Sequence, residues 1–388
     1  MRILLYILII CVFVLLALLF KDKSLIITII CSLIIISFVL NPNICIKGCI
    51  SGASLFFYKV FPSLFPFLVI CNIIMNCNGV YIYSKAFGKI LCSPLSLPLN
   101  CSFVIIVSIL CGYPLGAKYS CELYEKKIID FKTCERLLNI ASTASPLFII
   151  GTVGTSMLGN TYIGYILLIG SYLSSLIISF IIPVRYDSLK HNNSKMLFPS
   201  SNINLGNTLK SSIENGIKTS LSVGGFIVLF SVINNILRNS YIFHIILDNI
   251  YKNLKVPHGI IEGLTLGLIE MTNGCNIISS LNLGYGIKII FIGFLLGFSG
   301  ICIVLQCNSF MSKHNFSLIR YIKYKVFQGI ISSIISYILY CLFYKENSAF
   351  TFKQNTSILF NINGIFVLIS LLLFILPIMI YNFKKHIY

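Results

Sequence analysis

An apolar run from Leu99 to Leu110 ends in Cys111-Gly112-Tyr113-Pro114-Leu115-Gly116-Ala117-Lys118. A run of that character would ordinarily continue as helix. Instead, Gly112 and Gly116 permit positive φ or close backbone approach, and Pro114 removes a backbone donor. Broken backbone at membrane depth is tolerated only where protein buries it or a wet cavity takes it up. A broken apolar segment that ends on a cation therefore reads as a binding site. The competing reading is a loop with Lys118 snorkelling to the interface; a matching break later in the chain favours the site.

Membrane depth itself rests on composition. Of 388 residues 57% are hydrophobic and 10% charged, with a mean hydropathy of +0.93, where soluble domains carry about 25% charged residues. This is an all-α polytopic membrane protein. The net charge of +18 does not point to nucleic acid. Its basic residues form short clusters between apolar runs, as the positive-inside rule expects. The fifteen cysteines lie mostly inside apolar runs (Cys11, Cys31, Cys71, Cys101, Cys302, Cys341), with no CxxC pair. They read as reduced structural thiols, Cys45 and Cys49 included.

Taken in order, residues 1–43 hold two flanking spans, Ile3 to Phe20 and Leu25 to Leu40. Charges follow Phe20 directly, so the first is an anchor helix. Residues 44–184 form a first repeat. It contains Lys47, Gly48 and Gly52, a segment that Pro62 and Pro66 either kink or start twice, and a short basic amphipathic piece with Lys85 and Lys89. After the central break, residues 119–140 read as one solvated helix at the membrane edge. Ser142 to Gly151, with Ser145-Pro146 at its centre, is a second broken segment, and Tyr162 to Ile182 a plain span. Residues 185–209 form a polar cytoplasmic linker, 210–325 a second repeat, and 326–388 the C-terminal spans, with Lys384-Lys385 inside.

The second repeat follows the plan of the first. Lys47 corresponds to Lys210, Gly112 to Glu270 and Ser145 to Ser299, at offsets of 163, 158 and 154 residues. It also looks inverted. The link between the two breaks is strongly charged in the first repeat, whereas the matching link (277–296) holds only Lys288. The stretch after the second break is neutral in the first repeat (160–170) and basic in the second: Lys313, His314, Arg320, Lys323, Lys325. Charge bias then puts corresponding links on opposite sides. Inverted repeats with paired broken or re-entrant helices are the sequence pointer to a secondary transporter with a midplane site.

Of eleven acids, Glu262 and Glu270 lie within strongly apolar segments, where a carboxylate costs about 2.5–3.5 kcal/mol and is a functional hypothesis by default. Glu270 stands beside Thr272, Asn273 and Gly274; Glu262 reads as snorkelling. His258 and Glu262 have metal-ligand spacing without a second ligand pair, so no metal is expected. The candidate substrate-binding set is Gly112, Tyr113, Pro114, Gly116, Lys118, Ser145, Pro146, Glu270, Thr272, Asn273, Gly274 and Ser299. Glu270 can pair with Lys118, carry a coupling proton or bind a coupling cation; the origin of the two residues in equivalent elements favours the pair.

Gly112-Tyr113-Pro114-x-Gly116-Ala117-Lys118, Ser145-Pro146-Leu147-Phe148-Ile149-x-Gly151 and Glu270-x-Thr272-x-Gly274 together resemble the YlbJ/SpoVV family of sporulation integral membrane proteins of spore-forming Firmicutes. The resemblance covers roughly residues 45–345. It implies two Gate-type nucleoside-recognition domains related to concentrative nucleoside transporters. It also implies a role in moving dipicolinate from the mother cell across the outer forespore membrane, and in cortex formation. Family members often carry Asn-Pro where this chain has Ser145-Pro146.

The expected function is thus secondary transport of a small organic anion, dipicolinate first, in the multi-pass setting of a lipid bilayer with H⁺ or Na⁺ as coupling ion. A transporter of nucleosides or other small solutes is one alternative, and a non-transporting scaffold of the sporulating membrane another. No nucleophile, base and orienter, metal cluster or phosphate loop can be assembled, so neither an enzyme nor a cofactor is expected.

Overall fold

The computed structural model describes residues 23–77, 79–182, 205–254 and 257–344, all of them helix or short connection. Both terminal spans expected at Ile3 to Phe20 and Ile358 to Tyr381, and Lys384-Lys385, lie outside the described residues, as does most of the polar linker. Four helices are long and apolar enough to cross a membrane, six when each of two sharply bent pairs counts as one span.

The elements fall into a frame and an inner set. The frame begins with α1 (Lys23–Leu40), α2 (Pro42–Leu55) and a π-helical stretch Phe56–Val60 leading into α3 (Phe61–Asn76). Pro62 sits in the first turn of α3, where its missing N–H costs nothing, and Pro66 lies inside the helix. After α4 (Gly79–Cys92) the inner set opens with α5 (Ser102–Cys111), α6 (Leu115–Glu125) and α7 (Phe131–Ile140). A π-helical segment Leu147–Met157 and α8 (Thr161–Ile181) follow. Beyond the linker come α9 (Leu205–Arg238), α10 (Tyr241–Leu254), α11 (His258–Ile269), α12 (Met271–Ser280), α13 (Tyr285–Phe298), α14 (Gly300–Met311) and α15 (Leu318–Phe343).

Small residues let these helices close up, as expected where lipid offers no hydrophobic drive for association. A Cβ on Gly48 or Gly52 of α2 would stand 2.9 Å from Val232 Cα and 2.8 Å from Val228 Cα of α9. Gly170 of α8 faces Ser336 of α15, and Gly297 of α13 faces Gly329 of α15 in the same way. Helix starts are fixed by side chains that satisfy orphan amides: Asp130 accepts from Thr133 N, Asn160 from Tyr162 N and Ile163 N, and Ser317 from Arg320 N.

Two expectations from sequence are corrected here. Residues 119–140 are not one solvated helix: they end α6, turn, and form α7. Tyr119, Leu123, Thr133, Arg136 and Asn139 are all buried. The Arg136 guanidinium reaches inward to the carbonyls of Ser96 and Ser179, 2.8 Å each, so its charge serves the interior rather than a wet face. The second correction concerns α9, which already begins at Leu205. It runs unbroken for 34 residues to Arg238, so residues 205–209 of the linker expected over 185–209 are helix.

Candidate functional site

Four backbone breaks meet at the middle of the inner set. The first is the tip of a helical hairpin, α5/α6, whose arms touch through Phe103 and Tyr119, ring centroids 5.6 Å apart. At the tip Gly112 adopts φ +76°, the Tyr113–Pro114 peptide is cis, and Tyr113 N donates to Thr143 O at 2.8 Å. The acceptor belongs to the second break, the non-helical residues 142–145 that separate α7 from the π-helical segment. There Ser145 Oγ accepts from Phe148 N.

The third break is the tip of another hairpin, α11/α12. Gly259, Gly263 and Gly267 line one face of α11 and take Leu281, Ile278 and Gly274 of the returning arm. This stripe of glycines at four-residue spacing explains how the chain can reverse on Glu270 alone. The fourth break is Ser299-Gly300, both left-handed at φ 75° and 80°, between α13 and α14. A Cβ on Gly300 would meet Gly267 O and Met271 N at 3.1 and 3.2 Å. In each half of the chain, hairpin tip and helix break therefore cross one another.

The two broken helices run antiparallel. Where α7 starts and α14 ends, Glu125 pairs with His314 at 2.9 Å, Phe131 stacks on Phe316 and Glu135 pairs with Arg320 at 2.7 Å. Where the π-helical segment ends and α13 starts, Tyr285 donates to Leu158 O and Tyr162 to Phe343 O. The links 126–130 and 281–284 accordingly sit at opposite ends of the molecule. The first end carries Lys126, Lys127, Lys132, Lys313 and Arg320.

One cavity touches both hairpin tips, the break at Ala144-Ser145 and the first turns of α14. Tyr113 and Pro114, Ala144 and Ser145, Glu270 to Thr272, and Cys302 with Gln306 line it; Leu64, Val223 and Ile227 close it from the frame. Of the residues expected to bind, Tyr113, Pro114, Ser145, Glu270 and Thr272 face this space. Gly112, Gly116, Pro146, Asn273, Gly274 and Ser299, expected to bind, do not line it and belong to the breaks and helices behind it. Gly116 packs on Ala141 and Gly274 on Gly267. Asn273 contributes a backbone amide to Glu270, and Ser299 is fully buried at its break.

Glu270 is 3% exposed, and its carboxylate caps α12 by accepting from Thr272 N at 3.0 Å and Asn273 N at 2.9 Å. Two backbone amides and the positive end of a helix offset part of the cost of burying it. Lys118 is not its partner, which overturns the expected pair. The Lys118 ammonium points away from the cavity, to Asn72 Oδ1 (3.4 Å), Thr219 Oγ1 (3.3 Å) and Glu122 (3.7 Å), tying α6 to α3 and α9. The helical step from residue 118 to 122 brings an anion to it locally. Glu262 does not snorkel alone but pairs with Arg238 at 2.9 Å, and among the described residues no cluster of metal ligands forms.

Sequence reasoning missed Lys325. It sits in a basic stretch that reads as a cytoplasmic loop, yet it is 1% exposed within α15. Its ammonium donates to Ser142 O at 2.8 Å and Gln328 Oε1 at 2.9 Å, and lies 5.8 Å from the Tyr113 ring centroid. Ser142 in turn shares a 2.6 Å hydrogen bond with the buried Tyr321 hydroxyl. The available signal was position: Lys325 is the seventh residue after Leu318, about 10 Å along a helix, too deep for a boundary lysine.

The chain is similar to the sporulation integral membrane protein YlbJ of Bacillus subtilis (strain 168), with 24% identity over 322 residues, 77% of this chain and 78% of that protein. No protein-family model matches the chain, and no solved structure matches it. The similarity bears out the YlbJ resemblance carried by the motifs and supports a membrane protein of sporulation.

Proposed function

We propose that the chain is a secondary transporter of a small organic anion, with dipicolinate as its substrate, acting in spore maturation at the outer forespore membrane. The observation that carries this reading is one cavity lined by two hairpin tips, the break at Ala144-Ser145 and the start of α14, with Gly300 packed against the second tip. Packing alone does not require four interruptions side by side. A substrate site does, because unwound backbone and helix ends supply polar groups that an intact helix cannot. The antiparallel run of the two broken helices supports alternating access between two inverted repeats, Gate-type in the sense of the motifs. The basic end would then face the cytoplasm.

The carboxylate of Glu270 in the cavity wall favours a second reading. A neutral solute such as a nucleoside, hydrogen-bonded by Glu270, Thr272 and Gln306, meets no repulsion there. In the anion reading Glu270 carries a coupling proton or cation.

Spores of a strain lacking this protein test the proposal. A severe loss of spore dipicolinate, restored by the wild-type chain, is expected. Normal dipicolinate in the null spores would leave the nucleoside and scaffold readings.

A further inference from the structure

Lys325 stands out among the buried cations. Lys118 has Glu122 at 3.7 Å, and Lys288 caps the end of α12 through Ser279 O at 2.8 Å. Arg136 joins two carbonyls that hold the α7 end of the molecule together. Lys325 alone of these lies behind a residue that lines the cavity, 5.8 Å from the Tyr113 ring centroid, and among the described residues no carboxylate forms an ion pair with it.

A buried ammonium is ordinarily paired, because hydrogen bonds to neutral oxygens recover only part of its lost hydration. A flexible four-carbon stem makes lysine the cation best able to shift its charge by a few ångströms. Lys325, Gln328 and Ser142 stand behind the cavity lining, and Tyr113 is the lining residue between the ammonium and the space. Ser142 opens the non-helical break that continues to Ser145, and Tyr113 is the hairpin-tip residue that lines the space. Glu270 and its capped helix form another part of the wall, on the second hairpin. The cavity is therefore bipolar, with a fixed carboxylate on one hairpin and a lysine held behind the other.

Building on the transport reading above, we propose that Lys325 is the substrate-binding cation. Its ammonium, which rests on Ser142 O and Gln328, forms a charge-assisted hydrogen bond to a carboxylate of a small organic acid bound beside Tyr113. Gln328 and the Ser142 carbonyl act as positioning groups that keep the ammonium behind the cavity lining. The class of ligand follows from the charge: a carboxylic acid small enough to lie between the hairpin tips, with a dicarboxylate better held than a monocarboxylate or a neutral ring.

Equilibrium binding of pyridine-2,6-dicarboxylate to the purified full chain tests this, with wild type beside Lys325→Met, Lys325→Gln and the exposed control Lys323→Met. Loss of one charge-assisted contact should weaken binding at least about tenfold in both Lys325 variants, and less than about twofold in Lys323→Met. Wild-type affinity in folded Lys325→Met or Lys325→Gln overturns the inference while leaving the transport reading intact. No binding and no uptake by wild type would instead remove the transport reading, and this inference with it. If neither neutral variant yields protein with a wild-type melting profile, Lys325→Arg decides. The longer fork should change dicarboxylate affinity at least about threefold without moving the melting profile, and unchanged affinity would overturn the proposal.

Discussion

The Tyr113 hydroxyl lies 2.9 Å from the Met271 sulfur, and these two residues occupy the tips of the two hairpins. The contact spans 158 residues of sequence and crosses the cavity's lining. Opening the cavity towards either end must part or slide this contact. Tyr113→Phe keeps the ring and removes only the hydroxyl–thioether bond, a weak interaction. It should leave abundance unchanged and alter transport rate more than affinity, as read from initial uptake rates against substrate concentration.

Topology follows from the antiparallel broken helices. A cysteine-labelling or reporter tag at Lys127 should read cytoplasmic and one at Asn282 the opposite side, since the links holding them lie at opposite ends. A tag at Asn192, in the polar linker, should agree with Lys127. If Lys127 and Asn282 share a side, the antiparallel arrangement is wrong.

Glycine substitutions should sort by what their new atoms meet. A side chain on Gly274 would strike Gly267 Cα and stand 2.6 Å from Gly263 O. On Gly112 it would face Ser145 N at 2.5 Å with φ at +76°. Gly274→Val and Gly112→Val should each lose at least about 2 kcal/mol of stability and most activity. Gly225, with open space around it in α9, should accept alanine neutrally or gain up to about 1 kcal/mol. Thermal unfolding in detergent ranks the three.

The breaks were legible because Gly and Pro mark them: Gly112-Tyr113-Pro114, Ser145-Pro146 and Ser299-Gly300 each stand where the chain departs from α-helix. The hairpin at Glu270 was half legible. Its break was recognised, but the stripe Gly259, Gly263, Gly267 that folds α12 back onto α11 was not read. Partnerships were not legible, because tertiary packing decides them. Lys118 finds Asn72 and Thr219, 46 and 101 residues away, rather than the Glu270 that repeat symmetry suggested. Lys325 was hidden by its neighbours, since Lys323 and Arg320 on the same helix are exposed.

Lys118 and Glu270 should accordingly behave as independent sites. In a double-mutant cycle, Lys118→Ala and Glu270→Ala should add to within about 0.5 kcal/mol, whereas Lys118→Ala and Glu122→Ala should couple. Glu270→Ala removes the cap from α12 and should cost about 1–2 kcal/mol, while Glu270→Gln keeps one acceptor and should cost less. A coupling energy above about 1 kcal/mol between Lys118 and Glu270 would show that the two side chains meet after all.

Uptake of labelled pyridine-2,6-dicarboxylate by proteoliposomes containing the full chain tests the central claim most directly. Saturable accumulation above empty liposomes is expected, with competition by unlabelled dicarboxylate and none by uridine. No accumulation in liposomes shown to contain folded protein of both orientations, or accumulation of uridine in place of the dicarboxylate, would contradict it.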